Sequence, residues 1–378
     1  MGISGPVRVL HVVATSQRRG AEIFARDLIG ELKSLGLVEQ TVIVLREGPA
    51  PRLEFPVKTR SLTDTGESIS LSRTVLRLRR VLREERPDVV QAHGGEPQKY
   101  AALATVGSSN PRILYRRIAA AHPSIRSGWR RWVYSRLMNR ASAVVLVAES
   151  LRPETVSTFG VPDDRIVAIP RGVDPARLAT TRTRSEIRRE LELAEGDRVL
   201  LSLGALTVEK DPLAHVSVAA RVGPRVKNFK HLIVGDGPMA AEVRTAIQSA
   251  GLGKDVRLLG ARADVADLLA ACDVMLLAST TEGMPGAVIE AGLSGLPVAA
   301  YAVGGVPEVV IDGSTGMLAV PGDIGALSDA VHDLLTDQKR ANGMGEAARE
   351  RCLERFAIKR IAPPYLELLM VLGEQRAD

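Results

Sequence analysis

Short apolar runs without period-two alternation recur along the 378-residue chain, each followed by a glycine-rich or polar turn and then an amphipathic stretch. In the first half these are Val7–Ala14, Thr41–Leu45, Asp88–Ala92, Ile113–Tyr115, Ala143–Val147 and Ile166–Ile169. In the second half they are Val199–Leu203, His231–Val234, Val256–Leu259, Val274–Leu277, Val298–Tyr301 and Met317–Val320. Unbroken runs of this kind fit strands covered on both faces, as in parallel sheets. The intervening spacing predicts helices over Ala21–Leu35, Leu71–Glu85, Ser127–Arg140, Pro212–Val222, Ala240–Ala250, Ala263–Ala271, Ala287–Ser294 and Ile324–Leu335. Strand–helix alternation in two blocks predicts two doubly wound α/β domains, and the chain is long enough for both. The break is expected near Pro170–Arg184, giving residues 1–174 and 175–362. Ala362-Pro363-Pro364 is expected to kink the last helical pattern, with 363–378 packing back on the first domain.

Composition removes the competing classes. With 45% hydrophobic residues the chain is too apolar for disorder. No apolar run approaches the roughly 18–20 residues that span a bilayer. Met1–Gly5 and Val7–Ala14 lack the charged start and small-residue cleavage site of a secretory signal. Cys272 and Cys352 are too few for a disulfide framework. A cytoplasmic protein is the expectation. Charge is uneven: residues 1–178 hold 28 Lys and Arg against 17 Asp and Glu, whereas 179–378 hold 22 against 27. A basic half suits a polyanionic partner, or else arginine-rich helix surfaces.

Ligands of open parallel sheets bind beyond the carboxyl ends of the strands. The polar residues that stand out fall there: His93 after Ala92, Gly204–Lys210 after Leu203, Gly235-Asp236-Gly237 after Val234, and Glu282-Gly283-Met284-Pro285-Gly286 after Leu277. Gly20-Ala21-Glu22 opens a helix after the first strand. Two such rims facing each other would make an interdomain cleft. A glycine-rich helix entry offers free N–H groups and the positive end of a dipole, suited to phosphate. Glu282 can accept hydrogen bonds from sugar hydroxyls, and Glu290, eight residues on, lies about one turn into the helix. The alternative is a pair of acids complementing the helix dipole. Lys210 is either a phosphate ligand or a solvated loop lysine. For His93 the competing reading is a buried structural histidine, and for Gly235-Asp236-Gly237 it is ordinary turn chemistry.

Order and spacing together resemble glycosyltransferase family 4, the retaining nucleotide-sugar transferases of the GT-B fold. Arg19-Gly20-Ala21-Glu22 resembles the family's Gly-Gly-Ala-Glu turn, Asp88–His93 its Asp-Val-Val-His-x-His stretch, and Ile169–Asp174 its Ile-Pro-Asn-Gly-Val-Asp. The most specific section is Glu282–Ala291, the Glu-x7-Glu region, with Gly295-Leu-Pro-Val, Val303–Glu308 and Asp312–Gly316 downstream. The resemblance implies two Rossmann-like domains facing across a cleft, with acceptor in the first and NDP-sugar in the second. It implies that Lys210 contacts the diphosphate, Glu282 the sugar hydroxyls, and Glu290 the ribose. It implies that Met284 and its neighbours offer backbone amides, with Gly283, Met284, Pro285 and Gly286 all in the donor-binding loop. Gly20, Gly204, Asp236 and Gly237 border the donor, His93 lies near the reacting sugar, and Arg262 falls where the base is gripped. The donor is a co-substrate, and there is no Asp-x-Asp motif, so no cofactor or obligatory metal is expected.

One position departs from the family pattern. Ala205 stands where an arginine usually helps clamp the diphosphate, a contact worth about 1.5–3 kcal/mol. Arg18, Arg19 or Arg171 would replace it, or the protein is catalytically weak. The expected function is hexose transfer from a UDP- or GDP-sugar to a glycan, glycolipid or small-molecule hydroxyl, as in cell-envelope or polysaccharide biosynthesis. The alternatives are a GT-B epimerase or hydrolase, or a sugar-nucleotide-binding subunit. Arg126–Arg140 carries Trp129 and Trp132 among five arginines. This segment suits peripheral contact with an anionic inner membrane face, unless Trp132, Val133 and Leu137 face the core. Aromatics are scarce, and nucleic acid is not an expected partner.

Overall fold

The computed structural model describes residues 5–48, 52–63 and 70–374. Met1–Ser4, part of the N-terminal reading above, and the last four residues of the 363–378 segment lie outside that set. The chain forms two compact units: the stretch up to Val173 together with everything from Ile358 on, and Asp174–Ala357.

The first unit is built on a seven-stranded sheet of β1 (Val7–Thr15), β2 (Val38–Arg46), β3 (Lys58–Ser61), β4 (Val89–His93), β5 (Arg112–Arg117), β6 (Ala143–Leu146) and β7 (Ile166–Ala168). Their order is β3-β2-β1-β4-β5-β6-β7, and every pairing is parallel. The second unit has β8 (Arg198–Leu203), β9 (Phe229–Val234), β10 (Val256–Gly260), β11 (Val274–Leu277), β12 (Val298–Tyr301) and β13 (Gly316–Ala319). These run β10-β9-β8-β11-β12-β13, again all parallel. In each sheet the winding reverses once, between β1 and β4 and between β8 and β11. Such switch points leave a crevice at the carboxyl edge, because the flanking loops depart to opposite faces.

The runs named from sequence correspond to twelve of these strands, all but β3. Lys58-Thr-Arg-Ser has no apolar residue, and it pairs with β2 alone at the sheet edge. Its charges are used: Lys58 Nζ pairs with Glu85 at 2.8 Å and Arg60 with Glu84 at 2.8 Å, both acids at the end of the helix Leu71–Glu85. Charged edges of this type also resist pairing with another chain.

Several helical features differ from expectation: Gly95–Ala104 and Arg184–Glu190 form helices not named from sequence, and the end of the chain departs further. The last helix runs unbroken from Ile358 to Glu374 with Pro363 and Pro364 inside it. The prolines are the sixth and seventh residues of the helix, where each removes one i→i−4 hydrogen bond. Burial of Ile358, Ile361, Tyr365, Leu369 and Leu372 against Val7, Val9, Phe24 and Leu28 offsets the cost. The helix Gln338–Arg355 was not anticipated, since Gly343 and Gly345 lower its propensity. A Cβ on Gly345 would stand 2.0 Å from the Gly295 carbonyl oxygen. The glycine is therefore required by the close approach of that turn.

Candidate functional site

In the second unit the loops leaving β8 and β11 are tied together at the switch point. Thr280 N–H donates to the Glu209 carbonyl at 2.9 Å. One residue on, Lys210 Nζ donates to Glu282 Oε1 at 2.5 Å. The Lys210 side chain is 29% exposed and that of Glu282 8%, so the cation is the more exposed member of the pair. Gly283, Met284, Pro285 and Gly286 are buried and lead into the helix Gly286–Leu293. Glu290, in the second turn of that helix, is buried and accepts from Arg177 Nη2 at 3.0 Å. Lys210, Glu282 and Glu290 thus all follow the carboxyl ends of adjacent strands β8 and β11, as the sequence predicts.

Glycines make this edge compact. Gly235 has φ 142°, and a Cβ there would lie 1.7 Å from the Gly204 carbonyl oxygen; one on Gly237 would lie 2.4 Å from that of Leu206. Leu206 N–H donates to Asp236 O and Met239 N–H to Leu206 O, each at 3.0 Å. Gly235-Asp236-Gly237 is therefore a packing joint between the β8 and β9 loops, more constrained than a generic turn. The Asp236 carboxylate itself caps Gly237 N–H at 2.8 Å and is exposed. Gly304, which lies in the Val303–Glu308 stretch without a role assigned from sequence, has φ 51°, and its Cβ would meet the Glu282 carbonyl oxygen at 1.9 Å. Gly305 N–H donates to Gly283 O at 2.8 Å. This holds the Glu282 loop from the β12 side. Gly204 and Ala205 are exposed, with open space beside Gly204. The Arg262 guanidinium is committed to Asp264 by bonds of 2.8 and 2.6 Å, which leaves the backbone of its loop for any contact with a base.

In the first unit His93 ends β4 but does not stand open on the rim. It is 2% exposed, and its Nε2 lies 3.2 Å from Nδ1 of His11, whose Nε2 reaches Gln40 Oε1 at 3.0 Å. The His93 Nδ1 has no partner among the described residues. Gly20 starts the helix Gly20–Leu35 beside β1. Arg171 lies over it, with Nη1 2.9 Å from where a Gly20 Cβ would be. Arg18 and Arg19 are exposed. His11, Gln40, Arg171's contact with Gly20 and Arg177's with Glu290 depend on register and tertiary packing. Only His11, a polar residue inside the apolar β1 run, left a trace in the sequence.

Each unit also buries a histidine pair. Burial pushes His11 in the first unit and His215 in the second down to about 4, and it holds His93 and His231 well below the usual value. These imidazoles are neutral when folded and gain a proton near pH 6.5 when unfolded. Stability is therefore full above the unfolded value and falls as pH drops through 6.5 toward 4. For His11 and His215 the expected loss between pH 7.5 and pH 5 is about 2 kcal/mol each. Urea unfolding followed by circular dichroism at the two pH values measures it; equal midpoints contradict neutral burial.

Two doubly wound parallel sheets, one carrying a lysine–carboxylate pair at its switch point, define a Rossmann-like α/β protein. The comparisons name the family. The family model described as Glycosyltransferase Family 4 matches residues 18–177, and that described as Glycosyl transferases group 1 matches 183–351. A GDP-mannose-dependent alpha-(1-6)-phosphatidylinositol monomannoside mannosyltransferase of Mycolicibacterium smegmatis is 31% identical over 292 residues, 73% of this chain and 76% of that protein. An N-acetyl-alpha-D-glucosaminyl L-malate synthase of Bacillus anthracis is 30% identical over 228 residues; the match spans 60% of this chain and 59% of that relative's length. The crystal structure of Anabaena Alr3699/HepE in complex with UDP and glucose superposes with a TM-score of 0.84 at 22% identity, covering 97% of this chain and all of the other. The chain belongs to glycosyltransferase family 4, and its two units are those of the GT-B fold.

Proposed function

We propose that this protein is a retaining hexosyltransferase that moves a hexose from a UDP- or GDP-linked sugar to a hydroxyl of a glycan, glycolipid or small-molecule acceptor. The observation that carries the reading is the Lys210–Glu282 pair at the β8–β11 switch point on loops held by Gly235, Gly237 and Gly304, with Glu290 on the helix that the Glu282 loop enters. Support also comes from relatives whose names specify GDP-mannose-dependent transfer, and from a neighbour of like fold that holds UDP and glucose.

A nucleoside diphosphate leaves with charge growing on its outer phosphate. Preorganised donors at that position lower the barrier most. In this reading Lys210 turns from Glu282 to the diphosphate, and the Glu282 carboxylate accepts hydrogen bonds from sugar hydroxyls. Glu290 exchanges or shares Arg177 with the ribose. The acceptor attacks from the face the nucleotide leaves, and the departing phosphate takes its proton. No cofactor or resident metal enters the proposal. His93, neutral and buried, contributes a hydrogen bond and no charge. The test is transfer from UDP- and GDP-sugars, with the anomeric configuration of the product read by NMR. A product with the donor's configuration supports the reading. An inverted product rejects retention, and nucleotide release without transfer favours a hydrolase or epimerase.

Membrane contact is part of the proposal. No helix of the described residues is long and apolar enough to cross a bilayer. The helix Gly128–Met138 buries only Met138, while Trp129 and Trp132 are 72% and 61% exposed. Arg130 lies 5.7 Å from the Trp129 ring and Arg136 5.1 Å from that of Trp132. The tryptophans therefore do not face the core, and arginine beside exposed indole suits the interface of an anionic leaflet. We place the protein at the inner face of the cytoplasmic membrane. Co-sedimentation with phosphatidylglycerol-containing vesicles at low salt is expected for the wild type and lost in Trp129→Ser/Trp132→Ser. Wild-type protein that stays in the supernatant contradicts it.

A further inference from the structure

Buried hydrogen bonds in the first unit leave the protons of His11 and His93 a single arrangement. Gln40, on β2, is buried, and its Nε2 donates to the Ile29 carbonyl oxygen in the helix Gly20–Leu35 at 3.2 Å. A carbonyl oxygen can only accept, so the amide nitrogen of Gln40 must face it and the amide oxygen must face away. That oxygen, Oε1, lies 3.0 Å from His11 Nε2. It too can only accept, so His11 carries its proton on Nε2. Burial keeps His11 neutral, with a pKa pushed down to about 4, and its Nδ1 is then a bare lone pair. His93 Nε2 lies 3.2 Å from that lone pair. The bond needs a donor, so His93 is protonated on Nε2; it is neutral as well, which leaves its Nδ1 bare.

The surroundings reinforce this order. The two rings are tilted by 33° with centroids 5.4 Å apart, an edge-to-edge placement that points the lone pair of one at the N–H of the other. Gln91, the register partner of His11 on β4, makes no side-chain hydrogen bond and so competes for neither ring. Burial, then His11, then Arg116, the register partner of His93 on β5, all oppose a second proton on His93. With the site closed to water, a wrong tautomer would set two lone pairs or two N–H groups against each other, and unmade buried hydrogen bonds are costly. His93 Nδ1 has no partner among the described residues.

We infer that Gln40 and His11 are positioning residues that set the proton order of His93. The relay runs from the Ile29 carbonyl through Gln40 and His11, holds His93 in its Nε2–H form and leaves Nδ1 an acceptor only. His93 therefore neither acts as an acid nor donates a hydrogen bond through Nδ1; what it takes there is a donor, of the class of a substrate hydroxyl. That choice of partner rests on the proposed transferase activity, whereas the relay rests on the first unit alone. The relay also reverses as a unit. Without the Gln40 oxygen, His11 moves its proton to Nδ1 and donates to His93, whose own proton then sits on Nδ1, so an acceptor becomes a donor.

Long-range nitrogen–proton correlation spectra of protein isotope-labelled at histidine read each tautomer directly, with His11 and His93 assigned from His11→Asn and His93→Asn. Both rings of the wild type are expected in the Nε2–H form. Gln40→Leu is expected to turn both to Nδ1–H. Gln40→Leu/His11→Asn is expected to return His93 to Nε2–H, because the asparagine oxygen accepts where His11 Nδ1 did. A wild-type proton on Nδ1 of either ring overturns the relay, and that spectrum decides even if a variant folds poorly. Gln40→Leu with wild-type tautomers overturns it too. Transfer kinetics supply the second arm: kcat is expected to fall about 10- to 100-fold in Gln40→Leu and to recover in the double variant, with UDP and GDP affinity unchanged. An observed tautomer switch that leaves kcat unaltered overturns the positioning role. Predicted tautomers in a wild type that transfers no sugar reject the transferase reading and support the relay, so the two fail separately.

Discussion

Lys210→Met is expected to lower kcat by about 100- to 1,000-fold, the usual cost of removing one preorganised charge-stabilising group from a transfer site. Steady-state rates with a saturating NDP-sugar measure it. The expected loss lies toward the upper end because Ala205 leaves no second cation on the β8 loop. A structural explanation competes. Lys210 neutralises the largely buried Glu282 at 2.5 Å, and removing it strands that carboxylate, which is costly in itself. Lys210→Met/Glu282→Gln, compared with Glu282→Gln alone, separates the two. The neutral pair relieves the stranded charge, so thermal stability recovers while the rate stays low. A double variant with near wild-type turnover would show that Lys210 serves only to balance Glu282.

Gly304→Ala is expected to raise the KM for the donor about tenfold or more, although no side chain of Gly304 touches anything. A methyl group there would fall 1.9 Å from the Glu282 carbonyl oxygen, at a φ of 51°. The left-handed conformation alone costs an alanine about 1–2 kcal/mol, and the collision is with backbone, which cannot rotate away. Relief comes only by displacing the Glu282–Gly286 loop or the β12 loop, and a displacement near 1 Å in a positioning element is enough for a large loss. Gly313→Ala is the control. Its φ is 71° with nothing within 4 Å of the added Cβ, so it carries the backbone strain without the collision. Activity is expected to hold in Gly313→Ala and fall in Gly304→Ala. Equal kinetics for the two would show that the contact with Glu282 does not position the site.

The contrast between Gly304 and Glu282 shows what was readable in the chain. Glu282 and Glu290 announce themselves through spacing, and Lys210 through its place after a buried strand. Twelve strands were legible because full burial writes β-branched residues in unbroken runs. β3 was not, since an edge strand with Lys58 and Arg60 outward has no such signature. Gly304, Gly235 and Gly345 are explained only by backbone atoms distant in sequence, and a glycine alone does not say what it avoids. His93 was legible as a position but not as an environment: its partner His11 sits 82 residues away. The continuous last helix illustrates the same limit. Its two prolines are visible locally, while the apolar face that holds it, from Ile358 to Leu372, needs β1 and Phe24 to have a meaning.

Isothermal titration of UDP and GDP into the wild-type protein, Lys210→Met and Glu290→Gln tests most directly whether the β8–β11 edge is a nucleoside-diphosphate site. Micromolar binding of one nucleotide to the wild type, weakened about tenfold or more in each variant, is the predicted result. Wild-type protein that binds neither nucleotide, or variants that bind as tightly as wild type, would contradict it.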